Sequence, residues 1–218
     1  MMPPPLPRVY LVTDPSVASD LRSQVAAAID GLPPGTAAVQ LRAKDVDGRE
    51  LLALARALRE ATSRAAQLLL VNDRVDVASL AGADGVHLPS LGIPPAEARR
   101  LLGARAVIGV SCHSFEEVRR AREGGADYAH FGPVFETPSK VAYGPPVGID
   151  RLRQAATLGL PLVGLGGVDA GNAAEVARAG AFGVGAIRAW LAAGDPGRVV
   201  RALVAAVTDG AGHGKAVP

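Results

Sequence analysis

The chain has 218 residues, a formal net charge of +2 and 49% hydrophobic residues, enough apolar material for one large core. The charge is small and scattered, so it does not indicate a nucleic-acid partner, and no segment approaches the roughly 18 uncharged apolar residues of a membrane span. One cysteine excludes an internal disulfide and fits a reducing compartment, and the N-terminal segment lacks the apolar run of a secretory signal. We therefore expect a cytoplasmic protein.

Short apolar runs alternate along the chain with longer segments rich in alanine, arginine and glutamate. The runs predict strands at 8–13, 37–42, 67–72, 85–88, 106–111, 128–133, 160–165 and 182–187. The longer segments predict helices at 17–30, 48–62, 75–81, 94–102, 115–124, 148–157, 171–179 and 196–208. Ser114, followed three residues later by Glu117, has the spacing of a capping box and marks the start of the fifth helix.

Eight strands that are each followed by a helix predict an α/β fold, a single (β/α)8 TIM barrel. We assign residues 1–218 to this one domain, with a core at about 8–208 and a flexible C-terminal tail at about 209–218. The alternative is an open doubly wound sheet, which uses fewer strands and a glycine-rich loop after the first one. The segment after the first strand contains no glycine, so the barrel is favoured.

Polar side chains cluster where five predicted strands end, which is where TIM barrels place their chemistry. A single such residue would be an ordinary loop residue, but five ends together predict a binding site. The residues are Gln40, Arg42 and Lys44 after strand two, Asn72 and Asp73 after strand three, His87 and Ser90 after strand four, Ser111 and His113 after strand five, and the segment 136–140 after strand six.

Glycines stand after predicted strand seven and within predicted strand eight. Gly166 and Gly167 follow strand seven, and Ala186, Ile187 and Arg188 close strand eight. Glycine lets a backbone approach a ligand closely, and helix N-termini offer free N–H groups to an anion. In this fold these two loops form the usual phosphate site, so we predict phosphate binding here, with tight turns alone as the alternative.

These stretches resemble the superfamily of thiamine phosphate synthase and thiazole tautomerase. The similarity runs in order from residue 10 to about 190 and is carried by the segments "YLVTD", "VQLRAK", "VNDRVDVASLAGADGVHL", "IGVSCHS", "GADYAHFGPVFETPSK", "GLGGVDAGN" and "GAFGVGAI". The synthase joins a pyrimidine diphosphate to a thiazole phosphate and releases diphosphate. The tautomerase shifts a proton on a thiazole phosphate carboxylate, without a leaving group or a metal.

The resemblance to the synthase implies a role for each matching position. Pyrimidine diphosphate would be held by Gln40, Arg42, Lys44 and Asn72, with Ser111 and Lys140. Thiazole phosphate would be held by Thr137 to Ser139 and by Gly166 and Gly167. Asp73 would be one ligand of a magnesium ion.

Several positions depart from the synthase pattern. Gly92 stands where the synthase has its second magnesium carboxylate, and the loss of a carboxylate weakens a site for a hard cation. Ala43 replaces the usual glutamate, and Arg188 replaces the usual serine. The "HLPS" segment and Glu136 resemble the tautomerase branch instead.

The resemblance to the tautomerase implies that His113 transfers the proton while Ser111 and Lys140 position the substrate. Only His113 and His87, among the residues at the predicted mouth, have an unperturbed pKa near neutrality, about 6.5. The alternative for His113 is a cap on the helix that starts near Ser114.

Our preferred hypothesis is a thiazole tautomerase that binds a phosphorylated thiazole and requires no cofactor. The first alternative is a thiamine phosphate synthase that uses Mg²⁺, held by Asp73 and a nearby acid such as Asp45 or Asp47. A non-catalytic binder of thiazole or thiamine phosphate is the second alternative, and another isomerase of sugar phosphates on the same fold is the third. Homo-oligomerisation is left open.

Overall fold

All eight predicted strands are present and form one closed parallel barrel. A computed structural model describes residues 3–18, 20–137 and 145–212. The strands pair in chain order, and β8 closes on β1 through the pair Val9 and Val184, so the predicted TIM barrel is confirmed. The strands are β1 (Val9–Val12), β2 (Ala37–Leu41), β3 (Leu68–Asn72), β4 (Gly85–Leu88), β5 (Val107–Cys112), β6 (Tyr128–Phe131), β7 (Leu162–Leu165) and β8 (Gly183–Ala186).

Helices follow each strand and cover the outside of the barrel. In the described part of the chain, none of them is long and apolar enough to cross a membrane. They are α1 (Leu21–Ile29), α2 (Gly48–Arg64), α3 (Val75–Leu80), α4 (Pro95–Leu102), α5 (Phe115–Glu123), α6 (Gly148–Ala156), α7 (Ala173–Arg178), α8 (Arg188–Leu191) and α9 (Pro196–Gly212).

The largest differences from the predicted helices are the start of α1, the additional helix α8 and the end of α9. Helix α1 begins later than residue 17 because the Asp20 side chain accepts a hydrogen bond from the Ser23 N–H and caps it there. The short helix α8 was not predicted. Helix α9 extends beyond its predicted end at 208 to Gly212, and Gly210 packs so tightly on α7 that a Cβ would lie 2.6 Å from the Ala174 carbonyl oxygen.

Side chains alternate between the barrel interior and the shell of helices, as the period of two in a strand requires. A small apolar layer inside the barrel consists of Tyr10, Ala38, Leu70, Val107, Tyr128 and Val163. Two residues further along three of these strands stand Gln40, Asn72 and His130, so the interior becomes polar toward the carboxyl ends. This polar layer is the floor of the candidate site.

Candidate active site

An amide pair from β2 and β3 forms one side of the site. Gln40 Nε2 donates a hydrogen bond to Asn72 Oδ1 at 3.1 Å, and the Gln40 side chain is 1% exposed. The other amide atom, Gln40 Oε1, is buried and accepts no hydrogen bond from any residue that the structure describes. A buried acceptor without a donor costs about 1–3 kcal/mol. This oxygen therefore marks a position where a ligand's N–H group would be stabilised.

Two cations stand at the end of β2. The backbone of Arg42 is fixed because its N–H donates to Thr13 Oγ1 at 2.9 Å. The guanidinium of Arg42 is 28% exposed and lies 3.5 Å from the Asp14 carboxylate, which accepts hydrogen bonds from the N–H and hydroxyl of Ser16. Lys44 is exposed on the same loop. The arrangement presents positive charge at the mouth for an anionic ligand.

Asp73 follows β3 in the left-handed backbone region, with φ at +65°. Its N–H donates to the His87 carbonyl oxygen at 2.8 Å, which fixes the turn, and its side chain is exposed. The neighbouring Arg74 forms its ion pair with Asp76 at 2.6 Å, and the charge of Asp73 acts on Arg74 without a direct ion pair. Asp73 therefore exposes a carboxylate at the mouth that forms no ion pair with any described residue.

The acids around Asp73 do not complete a metal site by themselves. Within residues 3–18, 20–137 and 145–212, no group of three or more His, Cys, Asp or Glu side chains is placed to hold a metal ion. Asp47 caps α2 by accepting from the Glu50 N–H, Asp45 is exposed, and a Cβ on Gly92 would lie 2.9 Å from Pro89 Cδ. Magnesium commonly uses one or two carboxylates together with substrate phosphates. The donor set therefore fits an ion that Asp73 shares with a diphosphate.

His113 lies just beyond β5 with its side chain exposed at the mouth. Its ring Nδ1 donates to the Gly132 carbonyl oxygen at 2.6 Å, because a carbonyl oxygen can only accept a hydrogen bond. The alternative that His113 caps α5 is wrong, because the Ser114 hydroxyl caps it by accepting from the Glu117 N–H in the predicted capping box. The ring is therefore held in one orientation, and its Nε2 has no hydrogen bond to any residue that the structure describes.

His87 differs from His113 because it is inside the barrel. Its ring nitrogens bond to Ser111 Oγ at 2.9 Å and to the Tyr128 hydroxyl at 3.0 Å. Burial lowers the pKa of His87 to about 3, and burial followed by the charge of His87 lowers the pKa of His130 well below its usual range. The expectation that the pKa of His87 lies near neutrality is therefore wrong, because burial removes the water that would stabilise a charged imidazolium ring.

The loops after β6 and β7 pack directly against each other. Phe135 N–H donates to the Gly166 carbonyl oxygen at 2.9 Å. Gly166 and Gly167 have φ values of +98° and +67°, and a Cβ on Gly167 would lie 2.6 Å from the Glu136 carbonyl oxygen. Glycine is thus required here by backbone conformation and by contact between the loops, a reason that the sequence did not reveal.

The remaining predicted positions lie around this pair of loops or beyond it. Thr137 follows the segment that contacts Gly167, whereas Ser139 and Lys140 lie outside the described residues. Ala186 is buried at the end of β8. Ile187 precedes α8, and Arg188 is its exposed first residue. The structure thus brings residues 40–44, 72–73, 111–113 and 166–167 to the same end of the barrel.

Comparisons with known proteins show the family and the fold that this chain shares. A family model described as thiamine monophosphate synthase matches residues 9–190. A Geobacter sulfurreducens protein provisionally named thiamine-phosphate synthase is 50% identical over 202 residues, which cover 90% of this chain and 92% of that protein. A thiamine-phosphate synthase of Roseiflexus sp. is 44% identical, over 91% of this chain and 84% of its own. The structure of the Pyrococcus furiosus thiamine phosphate pyrophosphorylase has a TM-score of 0.83 and 32% identity, over 93% of this chain and 96% of its own.

Proposed function

Because the chain belongs to the thiamine monophosphate synthase family, we propose that it is a thiamine-phosphate synthase, a transferase of thiamine biosynthesis. It would couple hydroxymethylpyrimidine diphosphate to thiazole phosphate and release diphosphate. The observation that carries the proposal is the 44–50% identity, over about nine-tenths of the chain, to relatives that bear this name. The same names favour our alternative over the tautomerase hypothesis that we preferred from the sequence.

The amide pair supports a pyrimidine subsite. The buried Gln40 Oε1 lacks a donor within the described residues, and the amino group of the pyrimidine would supply one. Asn72 holds the Gln40 amide in place through the 3.1 Å hydrogen bond and lies at the edge of the mouth. The ring would thus be recognised by hydrogen bonds at the floor while its diphosphate extends toward the cations.

The cations of the β2 loop support a diphosphate subsite. The Arg42 guanidinium pairs with Asp14 at 3.5 Å while partly exposed, and such pairs contribute about 0–1 kcal/mol. An incoming diphosphate would replace that contact with stronger charge-assisted hydrogen bonds. Magnesium, held by Asp73 and the diphosphate, would neutralise the charge of the leaving group. Lys44 would add a further positive charge at the same place.

The paired loops after β6 and β7 support a subsite for thiazole phosphate. The left-handed glycines Gly166 and Gly167 expose their backbone without side chains, and Thr137 follows on the adjoining loop. Backbone N–H groups and a hydroxyl are suitable donors for phosphate oxygens. This subsite faces the diphosphate subsite across the mouth, so the two substrates would meet above the floor.

The direct test supplies both substrates to the purified protein and follows thiamine phosphate and diphosphate. We expect product with Mg²⁺, little product with a chelator, and a loss of about 10²-fold or more in the Asp73→Asn variant, which removes the carboxylate that would hold the ion. Asp30→Asn changes an exposed acid that directly follows α1, outside the loops at the mouth, so it is the matched control and should remain active. A protein that forms no thiamine phosphate under any of these conditions would contradict the proposal.

The tautomerase remains a second candidate because of one observation. His113 lies at the mouth with its Nδ1 donating to the Gly132 carbonyl oxygen, which leaves Nε2 as the ring nitrogen that could transfer a proton. If the protein is a tautomerase, His113→Asn should lower the isomerisation rate of thiazole phosphate carboxylate by about 10²–10⁴-fold. A synthase should tolerate the same change. Binding of thiazole phosphate without either reaction would favour the non-catalytic binder.

A further inference from the structure

A buried chain of hydrogen bonds runs under the mouth across three neighbouring strands. Ser111 Oγ on β5 lies 2.9 Å from His87 Nε2 on β4. His87 Nδ1 lies 3.0 Å from the Tyr128 hydroxyl on β6. The His87 side chain is 1% exposed and Tyr128 is 0% exposed, whereas Ser111 is partly exposed. Only the serine end of the chain therefore reaches the site.

The position of the Tyr128 ring is dictated by the barrel. A Cβ on Gly109 would lie 2.2 Å from Tyr128 Cζ, so the glycine in the adjoining strand makes the space that the ring occupies. Tyr10 packs against the other side, with ring centroids 4.7 Å apart. Because both sides are fixed, the Tyr128 hydroxyl points steadily at the imidazole of His87.

The partners of Tyr128 set the direction of every hydrogen bond in the chain. A buried phenol is stabilised when it donates its proton, and His87 Nδ1 is the acceptor that the described part of the structure offers to Tyr128. The two other polar atoms nearby, Tyr10 Oη and His130 Nε2, are buried without a hydrogen bond to any described residue, so they do not compete. His87 Nδ1 is then an acceptor, and the single proton of the neutral ring lies on Nε2.

That assignment determines what Ser111 presents to a ligand. His87 Nε2–H donates to Ser111 Oγ, so the serine hydroxyl already accepts one hydrogen bond and keeps its own proton free. With the opposite tautomer, Ser111 would use its proton on His87 and would show lone pairs to the mouth. Phosphate oxygens only accept hydrogen bonds, so a donating serine attracts a diphosphate and an accepting one repels it.

We propose that Tyr128 and His87 are positioning residues that fix the Ser111 hydroxyl as a hydrogen-bond donor to a diphosphate oxygen. The proposal deepens the proposed function, because it rests on diphosphate binding at this mouth. Neither Tyr128 nor His87 touches the substrate; both act through Ser111.

The tautomer of His87 is the first test, and it does not depend on any reaction. Nitrogen-15 NMR of the free wild-type protein, labelled on histidine, distinguishes a protonated ring nitrogen from an unprotonated one. We expect Nε2 of His87 to be protonated and Nδ1 to be unprotonated, and we expect Tyr128→Phe to add the other tautomer. A wild-type His87 with its proton on Nδ1 would overturn the proposal.

Affinity for inorganic diphosphate, measured by calorimetry with and without Mg²⁺, is the second test. Ser111→Ala should weaken binding about tenfold, as the loss of one hydrogen bond to a charged group predicts. Tyr128→Phe should weaken it by several-fold, and the double variant should bind no more weakly than Ser111→Ala alone. Tyr10→Phe is the matched control, since this neighbouring buried hydroxyl bonds to none of the described residues.

The outcomes distinguish the positioning role of Tyr128 and His87 from the proposed function. Additive losses in the double variant, or an equal loss in Tyr10→Phe, would show that Tyr128 acts through general packing and would overturn the positioning role. Failure of the wild-type protein to bind diphosphate at all would contradict the synthase proposal. In that case the NMR measurement still decides whether the direction of the hydrogen-bond chain is as inferred.

Discussion

The two ends of the barrel differ in whether their polar side chains have partners within the protein. At the amino-terminal end, the stretch 82–84 reads Gly-Ala-Asp and leads into β4. The Asp84 carboxylate accepts a hydrogen bond from the Leu69 N–H at 2.7 Å and forms an ion pair with Arg59 of α2 at 2.6 Å. A strand is thus tied to a helix through one carboxylate.

The same arrangement recurs two strands later. The stretch 125–127 again reads Gly-Ala-Asp, and Asp127 accepts from the Ile108 N–H at 2.7 Å. Arg99 of α4 pairs with Asp127 at 2.8 Å and also donates to the Ala106 carbonyl oxygen at 2.6 Å. Every strong donor and acceptor in these two clusters has a protein partner, so this end contributes to stability.

At the carboxyl-terminal end, polar groups are either buried without a partner among the described residues or exposed to solvent. Gln40 Oε1 is buried without a donor within the described residues, and Lys44, Asp73 and His113 expose their side chains. Such groups are costly or neutral in the free protein and become favourable only when a ligand satisfies them. Under the proposed function, the amino-terminal end of the barrel contributes to stability and the carboxyl-terminal end binds the ligand, as in other proteins of this fold.

The largest effect that we expect at the functional end is on catalysis. Arg42→Met removes the partly buried guanidinium that would hold diphosphate, so the synthase kcat/KM should fall about 10²–10³-fold, or about 3–4 kcal/mol. The melting temperature should stay nearly unchanged, because the Asp14 pair is a weak one. Steady-state kinetics and a thermal melt on the same sample check the fall in kcat/KM and the unchanged melting temperature. A large loss of stability in this variant would contradict the segregation of the two ends.

The matching change at the amino-terminal end should act on stability alone. Asp127→Ala leaves the Ile108 N–H without its acceptor and the partly buried Arg99 without its counter-charge, so unfolding should become easier by about 2–3 kcal/mol. Denaturant titration measures the loss. The kcat/KM of the folded fraction should remain within about twofold. Asp127→Asn keeps one acceptor oxygen and should lose less stability than the alanine variant.

The barrel itself could be predicted from the sequence because each strand is a local apolar run between turn residues. The order of polar strand ends followed from the same pattern, which placed Gln40, Asn72 and Ser111 correctly at one end. Helix α8 was missed because four residues show no periodicity. It forms because Trp190 is fully buried and its Nε1 donates to the Ala186 carbonyl oxygen at 3.0 Å.

Contacts between distant strands could not be predicted. The His87 to Tyr128 hydrogen bond depends on the register of β4, β5 and β6 and on the absence of a side chain at Gly109. The glycine pair after β7 was assigned to ligand approach, whereas Gly167 also makes room for the Glu136 backbone. The repeated Gly-Ala-Asp stretches were visible in the sequence, and the repeat at matching positions before two strands was the available signal for the ion pairs.

The buried histidines between the two ends should make stability depend on pH. In the unfolded chain a histidine takes up its proton below about pH 6.5, whereas His87 in the barrel does so only near its lowered pKa of about 3. The unfolded state binds more protons between these values, so the free energy of unfolding falls as the pH falls. From pH 7 to pH 5, His87 should account for about 2 kcal/mol, and His130 should act in the same direction. Urea titrations of wild type and His87→Gln check this, and an equal pH dependence in both would contradict it.

The smallest expected effect comes from the arginine next to Arg99 on the same helix. Arg100 is 73% exposed and, among the described residues, pairs with Glu97 one turn away, whereas Arg99 is 26% exposed and reaches a neighbouring strand through Asp127. Exposed pairs at this spacing contribute about 0.2–0.5 kcal/mol and are screened by salt. Arg100→Met should therefore change the free energy of unfolding by less than about 0.5 kcal/mol, while Arg99→Met should cost about 2 kcal/mol. Denaturant titrations at low and high salt compare the two. Equal losses of stability in the two variants would mean that the ion pair between Arg99 and Asp127 contributes no more than an exposed surface pair.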